Sequence, residues 1–203
     1  MKVGPKYKIA RRLGTPVFEK TQTQKYALNL SKKERLGMVP AKPKTEFGLQ
    51  LLEKQKTRYT YLLSEKQFSK YVKEILTKKK AHGKGLLFSK LESRLDNAVF
   101  RAGFRPTRLS ARQAVSHGHI LVNGKRVTKP SFSVKKGDVI SVRPQSSSSP
   151  MFADYSENAK TYAFPAWLKC DAEKMVAEVV ALPEIGAAEL QFDLDAVLEY
   201  YSR

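Results

Sequence analysis

Thirty-four of the 38 lysines and arginines of this 203-residue chain lie in its first 150 residues, against nine acids, so that stretch carries a net charge of +25. Residues 151–203 hold 4 basic and 10 acidic side chains, net −6. Like charges at the first density oppose a compact fold unless a polyanion neutralises them, and nucleic-acid phosphate is the usual partner. A few units of charge would fit a solvated surface; +25 does not. An anionic membrane is the weaker alternative, because no basic amphipathic helix with bulky apolar anchors is found. With 41% hydrophobic residues the chain has material for one or two modest domains, which excludes collagen-like and wholly disordered classes. No apolar run approaches the roughly 18–20 residues that span a bilayer, and Met1–Pro5 leads into no secretory apolar stretch. One cysteine, Cys170, supplies neither an internal disulfide nor a cysteine zinc cluster. The expectation is a soluble intracellular protein without metal or cofactor.

Residues 1–44 are rich in Lys, Arg, Thr, Pro and Gly without a sustained apolar period, which predicts an extended basic arm that orders only on its partner. From Thr45 an amphipathic helix begins, carrying Lys54, Lys56 and Arg58. Ser64 with Gln67 three residues on predicts a capping box, and Phe68, Tyr71, Val72, Ile75 and Leu76 form one helical face. Lys78–Gly85 reads as a loop, followed by an unbroken helix over about Leu86–Ala102 closed by Gly103. Thr107 or Ser110 caps a short helix ending at Gly118. The period then switches to two: His119–Val122, Asn123-Gly124, Lys125–Thr128, the strongest short hairpin signal, since both turn residues tolerate positive φ. Phe132 and Val134 with Val139–Val142 suggest a second strand pair. Pro144–Pro150, with its serine tract, reads as a flexible linker. A helix around Met151–Lys160, a strand near Val176–Val180 and a helix over Ala196–Tyr201 complete the expectations.

Arg94, Asn97 and Arg101 recur at helical spacing, which predicts one outward face; Arg105, Arg108 and Arg112 continue it, with Thr107 and Gln113 as polar neighbours. Guanidinium forks pair with phosphate oxygens through two parallel hydrogen bonds, which ammonium groups cannot do. His117 and His119 would face RNA or a carbonyl; without a fourth ligand they and Cys170 make a poor metal site. Gly83-Lys84-Gly85 lacks Walker spacing, and no Ser, His and acid combine into a catalytic set. Phe104, beside the arginines, reads as core, with base stacking the sharper alternative.

The run Arg94-Leu95-Asp96-Asn97-Ala98-Val99-Phe100-Arg101-Ala102-Gly103-Phe104, then Thr107-Arg108, Ala111-Arg112-Gln113 and Val115–Val127 with His117-Gly118-His119 and Asn123-Gly124-Lys125-Arg126, closely resembles the RNA-binding domain named after ribosomal small-subunit protein four. Its flanks resemble the small ribosomal subunit protein four family itself, of the bacterial type: Arg11-Arg12-Leu13-Gly14, Phe47–Leu51, Glu53–Lys56, Glu65–Phe68, Pro165–Leu168 and Glu199–Arg203. The chain departs from that family in having neither cysteine zinc ligands in the arm nor a Pro-Gly-x-His-Gly segment.

The resemblance implies an α+β protein: a mainly helical domain with an inserted small α/β RNA-binding module of two short helices plus β-hairpins, and an extended basic N-terminal arm. The implied divisions are 1–44 arm, 45–93 helical, 94–157 module and 158–203 returning to the helical domain. It further implies a structural, non-enzymatic protein of the cytoplasmic small ribosomal subunit that binds small-subunit ribosomal RNA, nucleates assembly of the subunit body, meets small-subunit proteins five and three and influences decoding accuracy. Its implied RNA-binding set adds Arg11, Arg12, Lys54, Lys56, Arg58, Lys125 and Arg126 to the residues above. Two alternatives stand beside it: an RNA-modifying enzyme, for which no length remains to house a catalytic domain, and a free-standing RNA-binding factor in translation quality control or regulation.

Overall fold

The computed structural model describes residues 3–37, 45–77, 83–185 and 190–202. In chain order the elements are α1 (Lys6–Leu13), a 3-10 turn (Glu19–Thr21), α2 (Gln24–Arg35), α3 (Glu46–Thr60), α4 (Glu65–Leu76), α5 (Gly83–Glu92), α6 (Leu95–Arg101) and α7 (Arg108–Ser116). There follow β1 (Ile120–Val122), β2 (Lys125–Arg126), β3 (Val139–Val142), α8 (Pro144–Ser147), α9 (Tyr155–Thr161), β4 (Leu168–Asp171), β5 (Val176–Val179) and α10 (Leu194–Ser202). They divide into two units, Met1–Leu87 with Gly186–Arg203, and Phe88–Ile185. Among the described residues no helix is long and apolar enough to cross a membrane.

The N-terminal segment is not an extended arm. Ile9, Leu13, Val17 and Phe18 are buried in one cluster with Leu62, and Gly14 at φ +66° ends α1. The eight-residue α1 is too short to display a helical period in sequence, yet its apolar side chains find a partner in the turn after α3. Only Tyr26 of α2 is buried. Residues 38–44, the rest of the expected arm, and 78–82 of the expected Lys/Gly loop lie outside the described residues. Gly83–Gly85, expected in that loop, instead open α5.

The Ser64 hydroxyl accepts the Gln67 amide at 3.4 Å, capping α4, whose Phe68, Val72 and Ile75 are buried. The Gln67 side chain itself turns to the Tyr71 hydroxyl. Against these helices α10 lays Leu194 and Val197, both fully buried, while Phe68 meets Tyr201 and Tyr61 meets Phe192 edge-on. Lys54 is enclosed there, 2.7 Å from Glu65 Oε1 and over the Tyr200 and Tyr201 rings at 4.4 and 5.3 Å.

Partial burial works to raise the Glu65 carboxyl, but hydrogen bonds from Lys54 and Tyr201 and the nearby Arg58 outweigh it and hold it below the usual carboxylate range. A carboxyl depressed in the folded state stabilises fully above its unfolded pKa, and that contribution is lost as pH falls through the folded value. Thermal stability should therefore drop on acidification below about pH 4, and Glu65→Gln should flatten that part of a melting-temperature profile; an unchanged acid limb would remove Glu65 from the account.

In the second unit the helix expected over Leu86–Ala102 breaks at Ser93 and Arg94. The backbone there bonds the 132–134 stretch instead: Val134 N–H to the Ser93 carbonyl and Leu95 N–H to the Phe132 carbonyl, both at 2.8 Å. This removes Phe132–Val134 from the expected strand pair. β3 pairs with β1 and β5 in a five-stranded antiparallel sheet of order β2-β1-β3-β5-β4. Residues 158–185, expected in the helical domain, thus belong to the sheet unit. Their strands satisfy the edge of β3, whose main-chain groups would otherwise lack partners. Asn123 (φ +51°) and Gly124 (φ +74°) make the β1–β2 turn, with Leu121 opposite Arg126. α6 and α7 cover one sheet face through Leu95, Val99, Ala111 and Val115 against Ile120, Ile140 and Ala177. Nor is Pro144–Pro150 a free linker: it opens with α8, and Ser146 is buried.

Candidate nucleic-acid interface

Thr107 caps α7, its hydroxyl accepting the Ser110 amide at 3.1 Å while Ser110 Oγ accepts the Thr107 amide at 3.2 Å. This fixes where α7 starts and so where Arg108 and Arg112 stand relative to α6. Spacing places Arg94, Asn97 and Arg101 on an outward face; the structure buries the first two. Arg94, at the start of α6, has only 3% of its side chain exposed and sends Nε and one terminal nitrogen to Asp96 at 3.0 and 2.8 Å. Arg112 reaches the same carboxylate from α7 at 2.7 and 2.8 Å. Glu92, 1% exposed, takes Arg101 through two parallel bonds of 2.8 and 3.0 Å and the Asn97 amide at 2.9 Å. Asn97 Oδ1 in turn accepts Arg108 Nε at 2.9 Å, and the Arg108 guanidinium lies over the Phe100 ring.

Two acids thus organise four arginines, leaving an excess charge of +2. Arg94 and Asn97 are interior struts of this network. Arg101 (34% exposed) and Arg112 (21%) keep an outward share. Sequence reasoning missed Glu92 and Asp96, although a signal existed. Residues 61–150 hold only five acids, and these two sit inside the arginine-rich run. Ions this buried are retained only when paired, so the acids belong to the arginines.

The remaining expected residues fall in two places. Gln113, His117, Lys125 and Arg126 are exposed in the sheet unit, where Arg126 lies against Gly118 and donates to the His117 carbonyl at 3.1 Å. His119 is turned inward, its Nδ1 2.9 Å from the buried Ser146 hydroxyl. Burial, with His117, Arg126, Arg143 and Arg105 around it, lowers its pKa and keeps the ring neutral near pH 7. Arg105 donates to the Met151 carbonyl and faces the Phe152 ring; burial alone makes its charge less favourable. Phe104 is buried and packs edge-on against Tyr155, so it is core and not a stacking platform. Burial also pushes the Cys170 thiol up to about 11, leaving it an unreactive side chain.

In the helical unit Arg12 is exposed and Arg11 bonds the Tyr7 carbonyl. Lys54 is buried on Glu65, so its expected RNA contact is replaced by an internal one. Lys56 pairs with Glu53 at 2.7 Å, and Arg58 bonds Gln55 with its guanidinium over Tyr59. Lys54 is spent on the helical core because α10 brings Tyr200 and Tyr201, and α4 brings Glu65, onto its face of α3, and Arg58, one turn on, lies 3.8 Å from the same carboxylate.

Residues 2–92 match the family model described as the ribosomal protein S4/S9 N-terminal domain, and residues 93–140 that of the S4 domain. The chain is 40% identical to small ribosomal subunit protein uS4 of Natranaerobius thermophilus, over 98% of each chain, and 42% identical to that of Acetivibrio thermocellus, again over 98% of each. It is 39% identical to uS4 of Aquifex aeolicus, over 99% of this chain and 98% of that one. The chain belongs to the uS4 family. That family consists of structural ribosomal proteins and not enzymes, in keeping with the resemblance carried by Arg94–Val127 and its flanks. The matched S4 domain stops at residue 140, inside β3, whereas in this uS4 family member the sheet continues through β4 and β5.

Proposed function

We propose that the chain is a primary binder of small-subunit ribosomal RNA that nucleates assembly of the subunit body. We include in the proposal a place in the cytoplasmic subunit beside small-subunit proteins five and three at the messenger entry path, with an influence on decoding accuracy. The observation that carries this reading is the continuous likeness to small-subunit uS4 proteins over nearly the full length of both chains. The charge distribution supports it, with +25 before residue 151. The exposed acids Asp154, Glu157, Glu173 and Glu178 offer a surface of opposite sign to a basic protein neighbour. RNA is engaged through the excess charge of the arginine network and the open Lys125 and Arg126 of the hairpin.

Lys125→Ala with Arg126→Ala should weaken binding to small-subunit ribosomal RNA about tenfold or more near physiological salt. It should lower the slope of log affinity against log salt by roughly 0.7–0.9 per lost phosphate contact, with melting temperature unchanged. Filter binding across a salt series, with large-subunit ribosomal RNA as competitor, measures both. Equal affinity for the two RNAs would overturn the proposal, and an unaltered slope would remove the hairpin from the interface.

A further inference from the structure

We infer that the buried acid Glu92 is a positioning residue for RNA binding: by holding Arg101 directly, and Arg108 through Asn97, it makes this chain bind RNA more tightly than it would without that negative charge. The inference rests on the RNA-binding reading above.

Long-range electrostatics predicts the opposite sign. Taking one negative charge from a protein that binds a polyanion raises the attraction everywhere. The local geometry argues otherwise. Arg101 is a long side chain whose rotamers would have to be frozen when a phosphate arrives, a cost paid at binding unless something has already frozen them. Glu92 does so, with both carboxylate oxygens engaged by the fork of Arg101 at 2.8 and 3.0 Å while a third of the arginine side chain stays open to solvent. The same Oε2 takes Asn97 Nδ2, and Asn97 is thereby oriented to present Oδ1 to Arg108, whose guanidinium is held on its other side by the Phe100 ring at 4.4 Å. One buried carboxylate therefore sets the direction of two guanidiniums on neighbouring helices. A glutamine keeps the shape of Glu92 but turns one of its two acceptors into a donor, so Arg101 or Asn97 must lose its partner.

Glu92→Gln, Arg101→Gln and the double variant, compared with the unaltered chain on small-subunit ribosomal RNA over a salt series, form the test. Glu92→Gln is expected to bind about five- to twentyfold more weakly, with the salt slope reduced by roughly 0.7–0.9. Because Glu92 acts through Arg101 and also through Arg108, the double variant should bind more weakly than Arg101→Gln, but by less than the product of the two single effects. Binding as tight as or tighter than the unaltered chain, at full slope, overturns the inference. So does a uniform weakening at unchanged slope, which marks a smaller folded fraction and a merely structural role. Should Glu92→Gln not fold, by circular dichroism, Arg101→Lys decides the matter. It keeps the charge but not the fork, so several-fold weaker binding supports the inference and unchanged binding defeats it. A failure of the RNA-binding reading itself is seen separately, as loss of discrimination by the unaltered chain.

Discussion

Asp96→Asn is expected to lower the free energy of unfolding by about 3–5 kcal/mol, the usual consequence of removing one member of a buried ion pair. Asp96 accepts from Arg94 and Arg112 and also from the Asn97 backbone N–H, and both it and Arg94 are almost completely out of water. The neutral amide keeps the volume but removes the carboxylate charge that offsets the lost hydration of the Arg94 guanidinium. That loss is a large fraction of the roughly 5–15 kcal/mol by which domains of this kind are stable. Urea unfolding monitored by circular dichroism measures it. Pairing Asp96→Asn with Arg94→Met should recover most of the loss, because an apolar side chain of similar length has no charge to strand. A single variant within about 1 kcal/mol of the parent, the typical effect of a point change, would show that the network is not what fixes α6 on α7.

Phe104→Ala should cost about 3–5 kcal/mol, the range for truncating a large buried aromatic side chain. Phe104 is 2% exposed and its ring stands 5.1 Å from that of Tyr155, at 64°. The variant left folded should bind RNA with the salt slope of the parent. A loss of RNA affinity larger than the loss of folded fraction would instead mean that Phe104 reaches a base.

Local rules written in single residues were legible in the sequence. Ser64 and Thr107 cap helices, Asn123-Gly124 takes positive φ at both positions, and Phe68, Val72 and Ile75 are buried together. Each depends on neighbours within four or five residues. Features decided by distant partners were not legible. The break at Arg94 arises from main-chain bonds to residues 132–134, and β4 and β5 are placed by the open edge of β3. The same limit governed the interface. Counting arginines gives the sign of the partner, but whether a guanidinium faces solvent depends on which acid it meets. Glu92 lies nine positions from Arg101, and Asp96 sixteen from Arg112. Ser146, in an apparently featureless serine tract, acquired a role only when His119 was brought to it.

The hydrogen bond between Gln50 of α3 and Glu199 of α10 joins residues 149 positions apart, and the whole of Phe88–Ile185 is encoded between them. On a translating ribosome the sheet unit is therefore complete while α3 and α4 still await their third helix. Counted from Leu76 at the end of α4 to Leu194 at the start of α10, the wait lasts roughly six to twenty-four seconds at the usual ~5–20 residues per second. Throughout it, the nascent α3–α4 pair must show Phe68 and Val72 to the surroundings. A holdase should engage the growing chain there, ahead of the sheet unit, which has every strand it needs.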